Sequence, residues 1–151
     1  MTQLRPEVRA LVQARELLER RRDHQQALEF VAQAEQHLKA GQLLRREEFI
    51  LDAHEAFYAA IWDALRALLE DYGLQLGTAK GEDGQHQLTM KFGKAEMRDS
   101  AEELEAGNAL EPIRQQRNQN HYRVASPRLG MLPRFAGIVV SGARKRIGPA
   151  A

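Results

Sequence analysis

One segment near the C-terminus, E111PIRQQRNQNHYRVAS126, carries residue types that can cleave RNA without a metal ion. If the segment is helical, Arg114 and His121 lie seven residues apart and within about 20° of each other, with Asn118 on the same face. A histidine can take the proton of a ribose 2′-hydroxyl, an arginine can hold the phosphate, and an asparagine can orient the backbone. The spacing therefore predicts a catalytic pair of Arg114 and His121, oriented by Asn118 and Tyr122. The alternative is an ordinary polar helix face, since one motif without structural context is a weak warrant.

The basic residues of the chain are concentrated at its C-terminal end. All twenty-one Asp and Glu lie at or before Glu111, together with fourteen of the twenty-two Lys and Arg. This asymmetry predicts an anionic partner, RNA ahead of DNA, for residues 112–146, because a positive face attracts phosphates and gains from counterion release. The opposite possibility, that these side chains pair with the acidic N-terminal part inside the fold, stays open. The predicted nucleic-acid-binding residues are Arg114, Arg117, Arg123, Arg128, Arg134, Arg144, Lys145 and Arg146.

Composition limits the class of protein. The 151 residues suit one domain, 1–151, and the abundance of Leu, Ala, Glu, Gln and Arg predicts an all-α or mostly α fold. The absence of Cys excludes disulfides and thiolate metal sites, and no two histidines have the i, i+4 spacing of a helical metal site. We therefore expect neither a cofactor nor a metal. The sequence shows no signal peptide and no membrane span, which predicts a cytoplasmic protein with no membrane partner.

Apolar periodicity predicts three helices in the first half of the chain. The first begins at Pro6 and runs to about Arg22, and the second is capped by Asp23 and stops at Gly41, although the two could form one rod. The third, from about Glu47 to Tyr72, is apolar on every face except a narrow acidic stripe. We expect this third helix to be the buried centre of the fold.

The second half is less regular. Residues 75–99 hold four of the eleven glycines and predict a long ordered loop, in which Leu88, Met90 and Phe92 alternate with polar residues as in a short extended piece. Ser100 opens the next helix, and Pro112 then breaks it or starts a new one. The apolar segment from Met131 to Ile147 favours helix over strand.

The stretch A56FYAAIWDALRALLEDYGL74 resembles the alanine-rich helix of the HEPN family, with Phe57, Tyr58 and Gly73 at the corresponding positions. Two further segments are similar to later parts of that family: H86QLTMKFG93 to its short His-to-Phe segment, and R117NQNHY122 to its late Arg-containing helix. The resemblance covers about residues 25 to 125. It implies a four- to five-helix up-and-down bundle, usually a homodimer, of the kind found in toxin–antitoxin, defence and nucleotidyltransferase-associated proteins.

The resemblance also implies a function. Many catalytic HEPN members carry an Arg, a polar residue and then a His some four to six positions beyond, as a metal-independent RNase site. Arg114, Gln115 and His121 fit this pattern, whereas Arg117 is followed by Asn118 but lies only three residues short of His121. Members with a similar alanine-rich helix often lack the motif. The alternatives are then a non-catalytic module that binds a partner such as an antitoxin or nucleotidyltransferase, or a helical nucleic-acid-binding subunit of a larger assembly.

Overall fold

The computed structural model of the chain describes residues 3–77, 81–122 and 129–149, with the side chains of residues 120–122 excepted. This part of the chain is mostly helical, as predicted, and forms a helical bundle with six helices rather than four or five. Its one sheet has two short strands. The elements are α1 (Pro6–Gln13), β1 (Leu17–Glu19), α2 (His24–Arg46), α3 (Ile50–Tyr72), β2 (Leu74–Leu76), α4 (Gly81–Glu96), α5 (Ala101–Tyr122) and α6 (Leu132–Ile147).

The first helix is shorter than predicted. It ends at Gln13, and Arg15 then takes a positive φ of 61°, which ends helical geometry and turns the chain into β1. Leu17 of β1 pairs with Leu76 of β2 in an antiparallel ladder. Leu17 is 1% exposed, so the extended conformation of β1 places this side chain in the core. The ladder ends at Gly77, where a Cβ would come within 2.3 Å of the Arg15 carbonyl oxygen. The prediction of a helix to Arg22 was wrong, because the predicted helix included Leu17–Glu19, which form β1 and pair with the distant strand β2.

The second and third helices form an antiparallel hairpin at the centre of the fold. The predicted cap is confirmed, since the Asp23 carboxylate accepts a hydrogen bond from the Gln26 backbone N–H at 2.9 Å. Helix α2 does not stop at Gly41 but continues to Arg46, and Glu48, with φ of 65°, separates it from α3. Gly73 ends α3 in the left-handed region, with φ of 71°.

Helix α3 is the buried centre, as predicted. It contacts α2, α4, α5 and α6. Most of its length is inaccessible to solvent, because apolar side chains occupy all but a narrow stripe of its circumference. The fully buried members include Ala53, Phe57, Ala60, Ile61, Ala64, Leu65, Ala67 and Leu68.

The loop predicted for residues 75–99 is ordered but contains a helix. Helix α4 covers residues 81–96, and its buried face includes His86, Met90 and Gly93, which repeat at helical spacing. The apparent alternation around Leu88 was too short to distinguish a strand from one side of a helix. The predicted extended piece is therefore wrong.

Helix α5 runs through Pro112 without a break, contrary to the prediction. Proline leaves the carbonyl of Asn108 without its helical donor, but Asn108 is exposed and water can reach that carbonyl. Leu110 and Ile113 are buried on either side of Pro112, so packing holds both turns in register. The helix predicted after Met131 is confirmed as α6. None of the helices in the described part of the chain combines the length and the apolar character needed to cross a membrane.

Candidate functional site

Arg117 is the centre of a polar cluster where α3, α4 and α5 meet. Its guanidinium carbon lies 4.8 Å from the centre of the Tyr58 ring, and its Nε lies 3.6 Å from a carboxylate oxygen of Glu55. Nε is buried and has no hydrogen-bond partner among the described residues. The guanidinium is therefore held by the ring face and by a loose ion pair.

Tyr58 is itself fixed by a histidine from α4. Its hydroxyl oxygen lies 2.7 Å from Nδ1 of His86, and the imidazole stacks on Trp62 with ring centres 4.0 Å apart. Burial, followed by the nearby positive charge of Arg117, lowers the pKa of His86 below its usual value of 6.5. Burial raises the pKa of Tyr58. Near neutral pH, both side chains are therefore uncharged.

Arg114 is one turn earlier on α5 and is occupied by carboxylates. Its Nε donates to Glu111 at 2.9 Å and its Nη1 donates to Asp83 at 2.5 Å. The residue is 7% exposed, and its hydrogen bonds to Glu111 raise its pKa. Arg114 thus connects α5 to the beginning of α4, and it would have to leave these partners to hold a phosphate.

Asn118 belongs to the same network. Its side-chain amide donates to Asp83 at 3.0 Å, and this hydrogen bond is the main reason that the pKa of Asp83 is lowered. The helix continues to Tyr122, so His121 follows Arg117 by about one helical turn. The side chains of His121 and Tyr122 lie outside the described part of the structure.

Four of the other predicted nucleic-acid-binding residues lie on α6: Arg134, Arg144, Lys145 and Arg146. Arg134 lies 3.8 Å from Glu105, and Arg144 lies 2.6 Å from Glu35. Arg146 is almost buried among carboxylates of α4 and α5, while Lys145 is exposed. Arg123 and Arg128 lie outside the described residues. Five of the six described members therefore have a carboxylate within 4 Å, as the intramolecular alternative requires.

The sequence singled out Arg114 as the partner of His121, whereas the structure places Arg117 beside the uncharged pair of Tyr58 and His86. Sequence reasoning also missed two sets of contacts: that of Arg117 with Glu55, and those of Arg114 and Asn118 with Asp83. Tyr58 and Trp62 are four residues apart, so helical spacing alone could have shown that they share a face. The sequence could not place His86 against that face, because residues 75–99 were predicted to form a loop rather than to contain α4.

A groove of about 460 Å³ lies between α5 and the beginning of α6. Its described lining is apolar except for His54 and Gln116. Such a lining does not suit a phosphate, so we do not include the groove in the candidate site. The other lining residues are Ala109, Pro112, Ile113, Leu129, Met131, Leu132 and Phe135.

Comparison of the chain with protein-family models, with curated proteins and with solved structures gives no match. Within the described residues, no three His, Asp or Glu side chains are grouped as a metal site would require.

Proposed function

We propose that this chain is a HEPN-like protein that acts on RNA, with its site where α3, α4 and α5 meet. One observation supports this most strongly: the three segments on which the resemblance rests lie far apart in the sequence and meet at this point. Tyr58 comes from the alanine-rich helix, His86 from the His-to-Phe segment and Arg117 from the late helix. The Tyr58 hydroxyl oxygen lies 2.7 Å from Nδ1 of His86, and the guanidinium carbon of Arg117 lies 4.8 Å from the centre of the Tyr58 ring.

The chemistry we propose is metal-independent cleavage, in a homodimer that brings two such helices together. Arg117, rather than Arg114, holds the phosphate, because Arg114 already donates to two carboxylates. His121 takes the proton from the ribose 2′-hydroxyl, and the 2′-oxygen attacks phosphorus while Asn118 and Tyr122 orient the strand. The 5′-oxygen leaves and takes up a proton. The products are a 2′,3′-cyclic phosphate and a 5′-hydroxyl.

A second candidate is a non-catalytic module that binds a protein partner, such as an antitoxin or nucleotidyltransferase. The charge around the site favours it, because four carboxylates, Glu55, Glu82, Asp83 and Glu111, accompany the guanidinium groups of α5. A phosphate backbone would be repelled by this acidic border, whereas a basic segment of a protein would be attracted.

Cleavage of a single-stranded RNA oligomer in the presence of EDTA separates the two candidates. We expect the wild type to give 2′,3′-cyclic phosphate ends and to leave DNA of the same sequence intact. Arg117→Ala and His121→Ala should each lose activity, whereas Arg45→Ala, which removes an exposed arginine from the last turn of α2, should keep it. Equal cleavage by wild type and His121→Ala would contradict the proposed chemistry. Salt-sensitive RNA binding without cleavage would identify a nucleic-acid-binding subunit, and the absence of both would support the partner-binding module.

A further inference from the structure

The contacts of Arg117 extend through three more side chains of α3 and α4. The guanidinium lies on the face of Tyr58, whose hydroxyl meets Nδ1 of His86, and the imidazole lies flat against Trp62 with an angle of 16° between the rings. Each group limits the motion of the next. The position of the guanidinium therefore depends on residues that do not touch the phosphate site.

The direction of the central hydrogen bond follows from its surroundings. Tyr58 keeps its proton because its phenol is buried, so the hydroxyl can donate. On the other side of the imidazole, Nε2 lies 3.9 Å from a carboxylate oxygen of Glu82, which can only accept. The proton of neutral His86 is thus placed on Nε2, and Nδ1 accepts from Tyr58.

A second proton on His86 would disrupt this arrangement. In the imidazolium Nδ1 carries a proton and donates, so the Tyr58 hydroxyl would have to reverse its role and accept, and the positive charge of the ring would face Arg117 and Arg114 from α5. Two carboxylates of α4, Glu82 and Asp83, face it as well and offset part of that repulsion. His86 is 9% exposed, so little water screens its charge from the two guanidinium groups.

We propose that Tyr58 and His86 are positioning residues for Arg117, and that they hold the guanidinium in place only while His86 is neutral. This inference rests on the proposed function in taking Arg117 as the group that holds the phosphate. It adds that RNA binding at this site weakens in mild acid, although RNA and arginine keep their charges there.

The first test removes one oxygen atom. Tyr58→Phe keeps the ring under the guanidinium but loses the hydroxyl that fixes it. Tyr72→Phe is the matched control, because it deletes a hydroxyl from a tyrosine of the same helix that contacts Phe92 rather than the site. Two quantities are measured: the ring-current shift of the Arg117 Nε proton by NMR, and the Kd for a single-stranded RNA oligomer. We expect Tyr58→Phe to reduce the shift and to weaken RNA binding by about 3- to 10-fold, and Tyr72→Phe to change neither.

The second test follows the same two quantities from pH 8 to pH 5. In the wild type, both should decline as His86 takes up its second proton. His86→Asn keeps an acceptor close to the position of Nδ1 but does not titrate, so both quantities should stay constant with pH. An Arg117 shift that is the same in wild type and Tyr58→Phe, and that does not change with pH, would overturn the positioning role.

These measurements also separate this inference from the proposed function. If the Arg117 shift responds to pH and to Tyr58→Phe while the wild type binds no RNA at any pH, the positioning role stands and the proposed function fails. If RNA is bound equally well by wild type and Tyr58→Phe across the pH range, the positioning role fails and the proposed function stands.

Discussion

Nη2 of Arg146 lies 2.6 Å from Oε1 of Glu103, inside a cluster that brings the C-terminal helix against the turn between α4 and α5. Nε of the same guanidinium donates to Glu96 at 2.8 Å, and Asp99 lies 2.9 Å away. The guanidinium and the carboxylates of Glu96 and Glu103 are at most 10% exposed. A residue that the charge pattern assigned to nucleic acid is thus part of the interior.

Replacement of Arg146 should therefore affect stability before it affects binding. Arg146→Ala leaves the buried Glu103 without its guanidinium partner and leaves Glu96 with only Arg5, 3.3 Å away, which should cost about 3–5 kcal/mol in the free energy of unfolding. Arg134→Ala, whose partner Glu105 is 54% exposed, should cost about 0–1 kcal/mol. Urea denaturation of both variants measures the difference. Similar losses in the two variants would mean that the Arg146 cluster contributes no more than a surface ion pair.

Two glycines of the helices should respond in opposite directions to a methyl group. At Gly93 a Cβ would come within 2.5 Å of Leu110 and 2.8 Å of Leu65, so Gly93→Ala should destabilise the fold by about 1–3 kcal/mol. At Gly137 no atom lies within 4 Å of the added Cβ, and Gly137→Ala should stabilise α6 by about 0.5–1 kcal/mol. Thermal unfolding of the two variants provides the comparison, and a stabilised Gly93→Ala would show that α4 does not pack closely on α3 and α5.

The buried histidine should make stability depend on pH. The unfolded chain takes up a proton on His86 near pH 6.5, whereas the folded protein resists protonation until a lower pH because its pKa is depressed. The unfolded state then binds more protons, so the free energy of unfolding falls as the pH drops below about 6.5. We expect a smaller loss between pH 7 and pH 5 in His86→Asn than in the wild type. Parallel pH curves would contradict the lowered pKa.

The centre of the bundle should be sensitive to a cavity. Ile61 is fully buried in the middle of α3, and Ile61→Ala should lower the free energy of unfolding by about 2–5 kcal/mol. Leu51→Ala is a suitable control, since Leu51 lies on the same helix and is 48% exposed. A comparable loss in the two variants would place Ile61 outside the core.

Local signals predicted the parts of the fold that depend on neighbours in the sequence. The cap at Asp23, the apolar circumference of α3 and the end of α3 at Tyr72 each depend on residues within one or two helical turns, and each is present. The strand at Leu17 needs a partner that follows two long helices, and no local pattern announces it. The continuity of α5 through Pro112 likewise depends on tertiary packing, which overrides a strong local breaker.

The candidate site was predictable in part for the same reason. Arg117 and Asn118 are neighbours on one helix, so spacing placed them on or beside a single face. The i, i+3 spacing of Glu111 and Arg114 could have shown the first ion pair of Arg114, but not the second, since Asp83 comes from an element predicted as a loop. The distribution of charge along the sequence identified the basic C-terminal part of the chain, but it did not identify the carboxylates that form ion pairs with those arginines.

The ladder between β1 and β2 has a consequence for the order of folding. Its partners lie on opposite sides of the whole α2–α3 hairpin, so the hairpin can form from near contacts while the N-terminal segment still moves freely. Closing that long loop is slow and is favoured only once β2 is in place to pair with Leu17. Substitutions in α1 and β1 should therefore mainly accelerate unfolding, whereas substitutions at the α2–α3 contact should slow folding.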